Sequence, residues 1–136
     1  MARLARAYGS GPVSLSEVAE AENLSLAYLE QLIVPLRRAV LVESTRGAHG
    51  GYQLARDPSL ITVGEIVRVL EGPIFVAECA SEEANPGCCE REPECASRMV
   101  WQRMRDSITG VLDSITLADL CQEPRMTLDA PDGVVP

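Results

Sequence analysis

Four cysteines lie close together in one polar stretch of the chain, ECASEEANPGCCEREPECASRMVW, which runs from residue 78 to residue 101. Nine residues separate Cys79 from Cys89, five separate Cys89 from Cys95, and Cys88 directly precedes Cys89. Cysteine thiolates bind iron–sulfur clusters and zinc, and they are also oxidised reversibly to disulfides. Because acidic residues and prolines separate these thiols, the stretch is too polar to be core. We therefore expect chemistry in residues 73–97, which we call the cysteine segment.

The composition argues against several classes of protein. No run of about 18 apolar residues is present, and the opening residues MARLARAYGSGPV lack the apolar stretch of a secretory signal. We therefore expect a cytoplasmic protein that does not span a membrane. In a reducing compartment, clustered cysteines are ligands or redox sensors rather than structural disulfides. The sequence has no CxxC pair and no phosphate-binding loop, so we do not expect an enzyme.

The charge is distributed unevenly along the chain, whose formal net charge is -8. Up to residue 72 there are seven Arg and eight acidic residues, whereas the remainder has five Arg and twelve acidic residues. An acidic total disfavours indiscriminate binding to nucleic acid. All basic side chains are Arg, however, and Arg is suited to bidentate contacts with phosphate or guanine. A local basic face in the N-terminal half remains compatible with this balance.

The elements that precede the cysteine segment predict a winged helix-turn-helix. The apolar spacing in LSEVAEAE and LAYLEQLIVPLRRA predicts two short amphipathic helices joined by a turn at Asn23. Two strand-like runs, VLVES and GYQLAR, follow, and the glycine-rich bridge TRGAHG between them predicts a hairpin. We therefore predict a mainly α fold with a small β-hairpin, and we assign residues 1–72 to a winged helix-turn-helix DNA-binding domain.

After the cysteine segment, apolar residues recur at alternating spacings of three and four, which predicts a long helix packed against a partner helix. This stripe consists of Trp101, Met104, Ile108, Val111 and Ile115. We assign residues 98–122 to a C-terminal dimerisation helix and a short terminal helix, and residues 123–136 to a disordered tail. The chain is thus predicted to form a homodimer.

The run SLAYLEQLIVPLRRAVLVESTRGAHGGYQLAR is very similar to the recognition helix and wing of the Rrf2 family of bacterial transcription regulators, and RGAHGGYQLAR is its most specific part. The later ITVGEIVRVLEG, the spaced cysteines and VLDSITLADL fit the same family in order, so the resemblance covers roughly residues 2–122. It implies a regulator that binds a double-stranded DNA operator as a homodimer. The cysteine block and the tryptophan-containing helix look most like the iron–sulfur regulators of the IscR group, and less like the nitric-oxide sensors of the NsrR group.

Residues early in a recognition helix face base edges in the major groove, while residues elsewhere hold the DNA backbone. Glu30 can accept a hydrogen bond from a cytosine amino group, and Gln31 can pair with adenine. Arg46 at the wing tip is suited to a narrow minor groove. The alternative is that these side chains only form a solvated surface. The predicted DNA-binding residues are Ala27, Tyr28, Glu30, Gln31, Arg37, Arg38, Arg46, Gly47, Gly50 and Gly51.

The resemblance implies that Cys79, Cys89 and Cys95 ligate an iron–sulfur cluster, with two irons favoured over four and with Cys88 as an alternative to Cys89. The IscR group has a His three residues after the last of these cysteines. This chain has Arg98 there, which stays protonated and is not a ligand. Arg98 is instead a candidate for balancing the negative charge of a cluster. The candidates for a fourth ligand remain Cys88, Glu90, Glu94 and an acidic residue of the other subunit.

Assembly, loss or oxidation of a cluster would order or release the cysteine segment and thereby change the separation of two recognition helices. The competing hypothesis is a regulator or interaction module without a cluster, controlled by thiol oxidation, by zinc or by a protein partner. Family members also carry further residues ahead of the part that matches MARLARAYGSGPV. Those residues complete the first helix and add basic phosphate contacts, so we expect a longer form to bind DNA more tightly.

Overall fold

The computed structural model describes residues 1–122; the predicted disordered tail, residues 123–136, lies outside the described residues. The helices are α1 (Ala2–Arg6), α2 (Leu15–Glu22), α3 (Leu26–Arg38), α4 (Val63–Glu71), α5 (Arg98–Ser114) and α6 (Leu117–Cys121), and the strands are β1 (Val42–Thr45) and β2 (Gly51–Leu54). The predicted mainly α fold with a small β-hairpin is confirmed. Within residues 1–122, no helix combines the length and apolar character needed to cross a bilayer.

Side-chain caps set the boundaries of the two helices of the helix-turn-helix. The Ser14 hydroxyl accepts from the Glu17 N–H at 3.2 Å, and the Glu17 carboxylate accepts from the Ser14 N–H at 3.0 Å. This reciprocal pair starts α2. The helix ends at Asn23, whose φ of 52° is left-handed, a conformation that asparagine tolerates. Two residues later the Ser25 hydroxyl accepts from the Tyr28 N–H at 3.1 Å and starts α3. Local polar groups thus define the turn between the helices.

Strands β1 and β2 pair antiparallel in a register that runs from Val42 opposite Leu54 to Thr45 opposite Gly51. The second strand, β2, also pairs through its other edge with Val13, which lies just ahead of α2. There the Val13 N–H donates to the Tyr52 carbonyl at 2.9 Å, and the Tyr52 N–H donates to the Val13 carbonyl at 2.8 Å. The hairpin is therefore fixed to the helices by backbone hydrogen bonds.

The three glycines of the hairpin serve two different purposes. Gly47 has a φ of 120°, which side-chain-bearing residues rarely adopt. Gly50 and Gly51 do not have positive φ. A Cβ atom at Gly50 would lie 2.3 Å from the Thr45 carbonyl oxygen, and one at Gly51 would lie 2.4 Å from the Val13 carbonyl oxygen. Close backbone approach, rather than an unusual dihedral angle, therefore requires glycine at the latter two positions.

Two distant parts of the chain, residues 61–63 and residues 115–117, are joined by backbone hydrogen bonds. The Val63 N–H donates to the Ile115 carbonyl at 2.8 Å, and the Leu117 N–H donates to the Ile61 carbonyl at 2.9 Å. Ile61 and Leu117 are both fully buried. The core also contains Leu4, Ala5, Ile33, Leu36, Leu41, Val42 and Leu54. The terminal helix α6 therefore completes the core of the N-terminal half.

Replacing Val40 by glycine is expected to stabilise the fold. The C-terminus of α3 closes with the Leu41 N–H donating to the Leu36 carbonyl at 3.0 Å and the Val40 N–H donating to the Arg37 carbonyl at 3.1 Å. This places Val40 at the position where helices favour glycine, with a φ of 56°. A left-handed L-residue costs about 1–2 kcal/mol, so Val40→Gly should raise the free energy of unfolding by about 1 kcal/mol.

Thermal and urea unfolding followed by circular dichroism measure this change. Ala39→Gly is the matched control, because Ala39 has a φ of -80° that alanine adopts without strain. The control should lower stability by roughly 0.5–1 kcal/mol. A lower melting temperature in Val40→Gly would contradict the assignment of strain to this position.

Candidate DNA interface and cysteine segment

The outer face of α3 is exposed and carries both polar and apolar side chains, while its inner face is buried. Ile33 and Leu36 anchor the helix in the core. Four of the residues predicted to contact DNA, Ala27, Tyr28, Glu30 and Gln31, are exposed on its first two turns. Side chains three and four residues apart lie side by side on a helix, so this face can enter a groove as a unit.

The three arginines predicted to contact DNA are all exposed. Arg37 and Arg38 are exposed in the last turn of α3, and Arg46 is exposed in the loop between β1 and β2. Among residues 1–122, none of these three guanidinium groups takes part in an ion pair within the chain. They remain available for phosphate contacts.

Helix α5 has two faces of different character. One face packs against α4 and against the 3₁₀ turn Glu78–Ala80 of the cysteine segment. An adjoining face exposes large apolar side chains, including Met104 at 44% and Val111 at 58%. We call this surface the apolar stripe, and its members are Val100, Trp101, Met104, Ile108 and Val111. Contiguous exposed apolar surface on this scale is typical of a protein–protein interface.

Ile115 does not belong to the apolar stripe, although its spacing placed it there. It lies one residue beyond the end of α5 in extended backbone, with a φ of -101° and a ψ of 123°, and it is half-buried. The helix ends before it because the Ile115 carbonyl accepts the Val63 N–H. By contrast, Val100 was not predicted and does extend the stripe toward the start of α5.

The cysteine segment contains four free thiols in different surroundings. Cys79, Cys89 and Cys95 are half-buried, and Cys88 is exposed. Cys79 lies on the 3₁₀ turn Glu78–Ala80 against α5, whereas the other three lie farther along the segment. In the part of the chain that the structure describes, no three His, Cys, Asp or Glu side chains are grouped as a metal site would require.

The Cys95 thiol is hydrogen-bonded to a neighbouring hydroxyl group. Its Sγ lies 3.4 Å from the Ser97 hydroxyl. That hydrogen bond, with a smaller contribution from the charge of Arg98, lowers the pKa of the Cys95 thiol below its ordinary value. The thiolate is the reactive form of cysteine, so the lowered pKa favours oxidation or metal binding at Cys95.

Arg98 lies in the same open cleft as Cys89 and is bound to an acidic neighbour. Its guanidinium forms an ion pair with Glu92 at 2.6 Å, and the Glu92 carboxylate also accepts the Gly87 N–H at 2.6 Å. Glu92 thus closes the loop that carries Cys88 and Cys89. Arg98 occupies a cleft beside the thiols, as charge balance would require, but it contributes no metal ligand.

The donors therefore do not fit an iron–sulfur cluster in the arrangement that the structure shows. Thiolate donors of suitable chemistry are present, but Cys79, Cys89 and Cys95 do not converge with a fourth donor. The position expected to supply that donor carries an ion-paired arginine. A cluster at these cysteines would require a different arrangement of the segment.

Three charged side chains that the sequence analysis did not single out join the cysteine segment to the helices beside it. Arg68 on α4 donates to both oxygens of Glu82 in the segment, at 3.0 and 2.9 Å, and to both oxygens of Asp113 on α5, at 2.6 and 2.9 Å. These hydrogen bonds lower the pKa of both carboxyls and raise that of the arginine. Separations of 14 and 45 residues leave no spacing signal in the sequence.

Comparison with known proteins decides the family. The sequence profile of Rrf2, described as iron-dependent transcriptional regulator, matches residues 1–123. The chain belongs to the Rrf2 family. The Rrf2 profile describes transcription regulators, not enzymes, and the described elements match the winged helix-turn-helix structures of this family.

One similar Rrf2 protein is a CymR regulator. The chain is 50% identical over 120 residues to the HTH-type transcriptional regulator CymR of Bacillus subtilis, covering 88% of this chain and 80% of CymR. The structure of CymR, the global cysteine regulator of B. subtilis, is 47% identical, superposes with a TM-score of 0.71 and covers 88% of this chain and 85% of that one.

IscR proteins are also similar to this chain. Identity to the HTH-type transcriptional regulator IscR of Escherichia coli is 38% over 111 residues, covering 82% of this chain and 66% of IscR. The T. potens IscR structure has 47% identity and a TM-score of 0.70, and covers 88% of this chain and 75% of that one. Identity to B. subtilis CymR exceeds identity to E. coli IscR, whereas the CymR and T. potens IscR structures are equally similar to this chain at 47% identity. The comparisons thus show the family, and the expected likeness to the IscR group in particular stays a prediction.

Proposed function

We propose that this Rrf2 protein is a sequence-specific transcription regulator that binds operator DNA through α3 and the wing. The observation that carries the proposal is the exposed polar face on the first two turns of α3, held outward by buried Ile33 and Leu36. Glu30 and Gln31 read base edges, Arg37 and Arg38 bind phosphates, and Arg46 enters the minor groove beside the site.

The regulator acts as a homodimer through the apolar stripe of α5. A second copy of the same helix supplies the apolar surface that the stripe lacks within residues 1–122. A symmetric pair of α5 helices fixes the separation of two copies of α3, which must match half-sites about one turn of DNA apart. The dimer is thus part of the DNA-binding function.

Chemistry at the cysteines of the cysteine segment controls DNA binding. The segment connects α4, which packs against the recognition helix, to α5, which carries the apolar stripe. A change in the segment therefore acts on both elements that set the geometry of the DNA-binding surfaces. This placement supports control in the cytoplasm by a redox, iron or thiol signal.

An iron–sulfur cluster held by Cys79, Cys89 and Cys95 is the first candidate for this chemistry. It is supported by the cysteine spacing, by the similarity to IscR proteins and by the iron-dependent description of the family. Thiol oxidation without a cluster is the second candidate. It is favoured by the lowered pKa of Cys95 and by the separation of the thiols that the structure shows.

Anaerobic purification is expected to distinguish the two candidates. A cluster gives a brown protein with visible absorbance and with bound iron and sulfide, all of which Cys89→Ser should reduce or abolish. Cys121→Ser is the matched control, because Cys121 lies on α6 outside the segment and should not affect iron content. Iron, sulfide and absorbance are measured on the same samples.

A colourless anaerobic protein without iron would rule out the cluster. Operator affinity should then change on treatment with hydrogen peroxide, and Cys95→Ser should reduce that response. If operator affinity responds neither to iron and sulfide nor to peroxide, the proposed control through the cysteines is wrong, although DNA binding itself stands.

A further inference from the structure

The part of the cysteine segment that carries Cys79 is closed into a small loop. The Ile74 N–H donates to the Glu82 carboxylate at 2.9 Å, and the Glu82 N–H donates to the Ile74 carbonyl at 3.2 Å. Ala80 inside this loop is fully buried. We call residues 74–82 the Cys79 loop.

Two arginines from different helices hold the Cys79 loop. Arg68 on α4 binds the Glu82 carboxylate that closes the loop. Arg105 on α5 donates to the carbonyls of Ala80 and Ser81 at 3.4 and 3.1 Å. Cys79 is therefore fixed relative to both helices, whereas Cys88, Cys89 and Cys95 lie beyond the loop.

Arg68 is also positioned against the recognition helix through α4. Ile66, Val69 and Leu70 of α4 pack on the core that includes Ile33 and Leu36 of α3. Arg68 thus lies on a helix that touches α3 on one side and binds the segment on the other. A displacement of Glu82 is transmitted along a contiguous set of contacts.

The site is built for close approach of these charged groups. A Cβ atom at Gly64, one turn before Arg68 on α4, would lie 1.9 Å from the Asp113 Oδ1. Any side chain there would push Asp113 away from Arg68. Because Gly64 is buried in α4 and has no side chain, Arg68 can bind Glu82 and Asp113 at the same time.

We propose that Arg68 is the positioning residue that couples the state of the cysteine segment to the recognition helix, by holding Glu82 of the Cys79 loop and Asp113 of α5 together. The inference rests on the proposed control of DNA binding by the cysteines. When hydrogen peroxide oxidises the thiols of Cys79 and a later cysteine to a disulfide, the peroxide is reduced to two molecules of water that take up both thiol protons, and the new bond pulls on the loop that Arg68 holds. The resulting shift of Glu82 moves α4 and, with it, α3.

The test compares operator affinity before and after treatment with hydrogen peroxide, and before and after anaerobic addition of iron and sulfide. For each treatment, the ratio of the affinity before to the affinity after measures how strongly the cysteine segment is coupled to DNA binding. Arg68→Met should reduce the wild-type ratio by about fivefold or more, toward one. Glu82→Gln, which keeps the shape of the side chain, should act in the same direction from the segment side.

Arg56→Met is the matched control. It removes an ion pair between Arg56 and Glu65, which is also on α4. Within residues 1–122 the hydrogen bonds of Glu65 go to Arg56 and Thr62 and not to the cysteine segment. Its ratio should equal that of the wild type. If Arg68→Met and Glu82→Gln both keep the full wild-type ratio, the proposal is overturned. A wild-type ratio of one under both treatments instead refutes control by the cysteines, and the coupling role with it.

A second measurement tests the clamp independently of DNA. Alkylation of Cys79 by iodoacetamide, followed by peptide mass spectrometry, should be about tenfold faster in Glu82→Gln than in the wild type, because local opening exposes the half-buried thiol. Exposed Cys88 serves as the internal reference, and its rate should not change. An unchanged Cys79 rate in both Arg68→Met and Glu82→Gln would show that Arg68 does not hold the loop and would refute the proposal.

Discussion

Replacing Met104 and Ile108 together by glutamate is expected to produce a monomer and to weaken operator binding by roughly 10²–10⁴-fold. Both side chains are at least 40% exposed on the apolar stripe of α5. Two pairs of carboxylates brought together across a symmetric contact would repel each other and lose solvation. A monomer then binds one half-site at a time and loses the advantage of simultaneous attachment.

Sedimentation equilibrium gives the oligomeric state, and fluorescence anisotropy with a labelled operator gives the affinity. Met104→Leu together with Ile108→Leu is the matched control, since it changes the same two exposed side chains but keeps the stripe apolar. It should remain dimeric. Glutamates at 104 and 108 that leave a stable dimer with unchanged affinity would show that the stripe is not the dimer contact.

Gln31→Ala is expected to remove sequence discrimination at one position of each half-site. Gln31 is exposed on the second turn of α3, where a side chain reaches base edges in the major groove. A bidentate contact to a base discriminates by about 1–3 kcal/mol, and a dimer makes the contact twice. The loss should therefore appear as relaxed preference at two symmetric operator positions, with little change at the others.

Binding measured on operators that carry each base at each position tests this expectation. Arg37→Ala is the comparison, because a variant that no longer binds a phosphate weakens on all operators equally. The slope of log affinity against log salt should fall by about 1 for each phosphate that is released. If Gln31→Ala weakens all operators by one common factor, Gln31 does not read a base and its exposed position is only a solvated surface.

Local sequence signals predicted the winged helix well, because each of its elements is set by neighbouring residues. The Ser14 and Ser25 caps and the left-handed Asn23 all act within a few positions of the chain. The glycines of TRGAHG were also placed in a hairpin. The reason for Gly51 was not visible in the sequence, since it depends on the approach of Val13 from another part of the chain.

The candidate site was predictable only in part, because its decisive contacts are long-range. Helical periodicity placed Met104 and Ile108 on one face, but it extended the stripe to Ile115, whose carbonyl is instead bonded to Val63. Cysteine spacing indicated ligands, yet spacing does not determine whether a loop brings them together. The binding of Arg68 to two distant carboxylates follows from the packing of α4 against α5, which no local pattern encodes.

The backbone contacts between residues 61–63 and 115–117 have a consequence for how such a protein diversifies. They hold the two ends of a long connection side by side at the core of the winged helix. This connection consists of α4, the cysteine segment and α5. Loops between fixed ends change length at small entropic expense. The cysteine segment can therefore change in length and sequence while the winged helix keeps its structure.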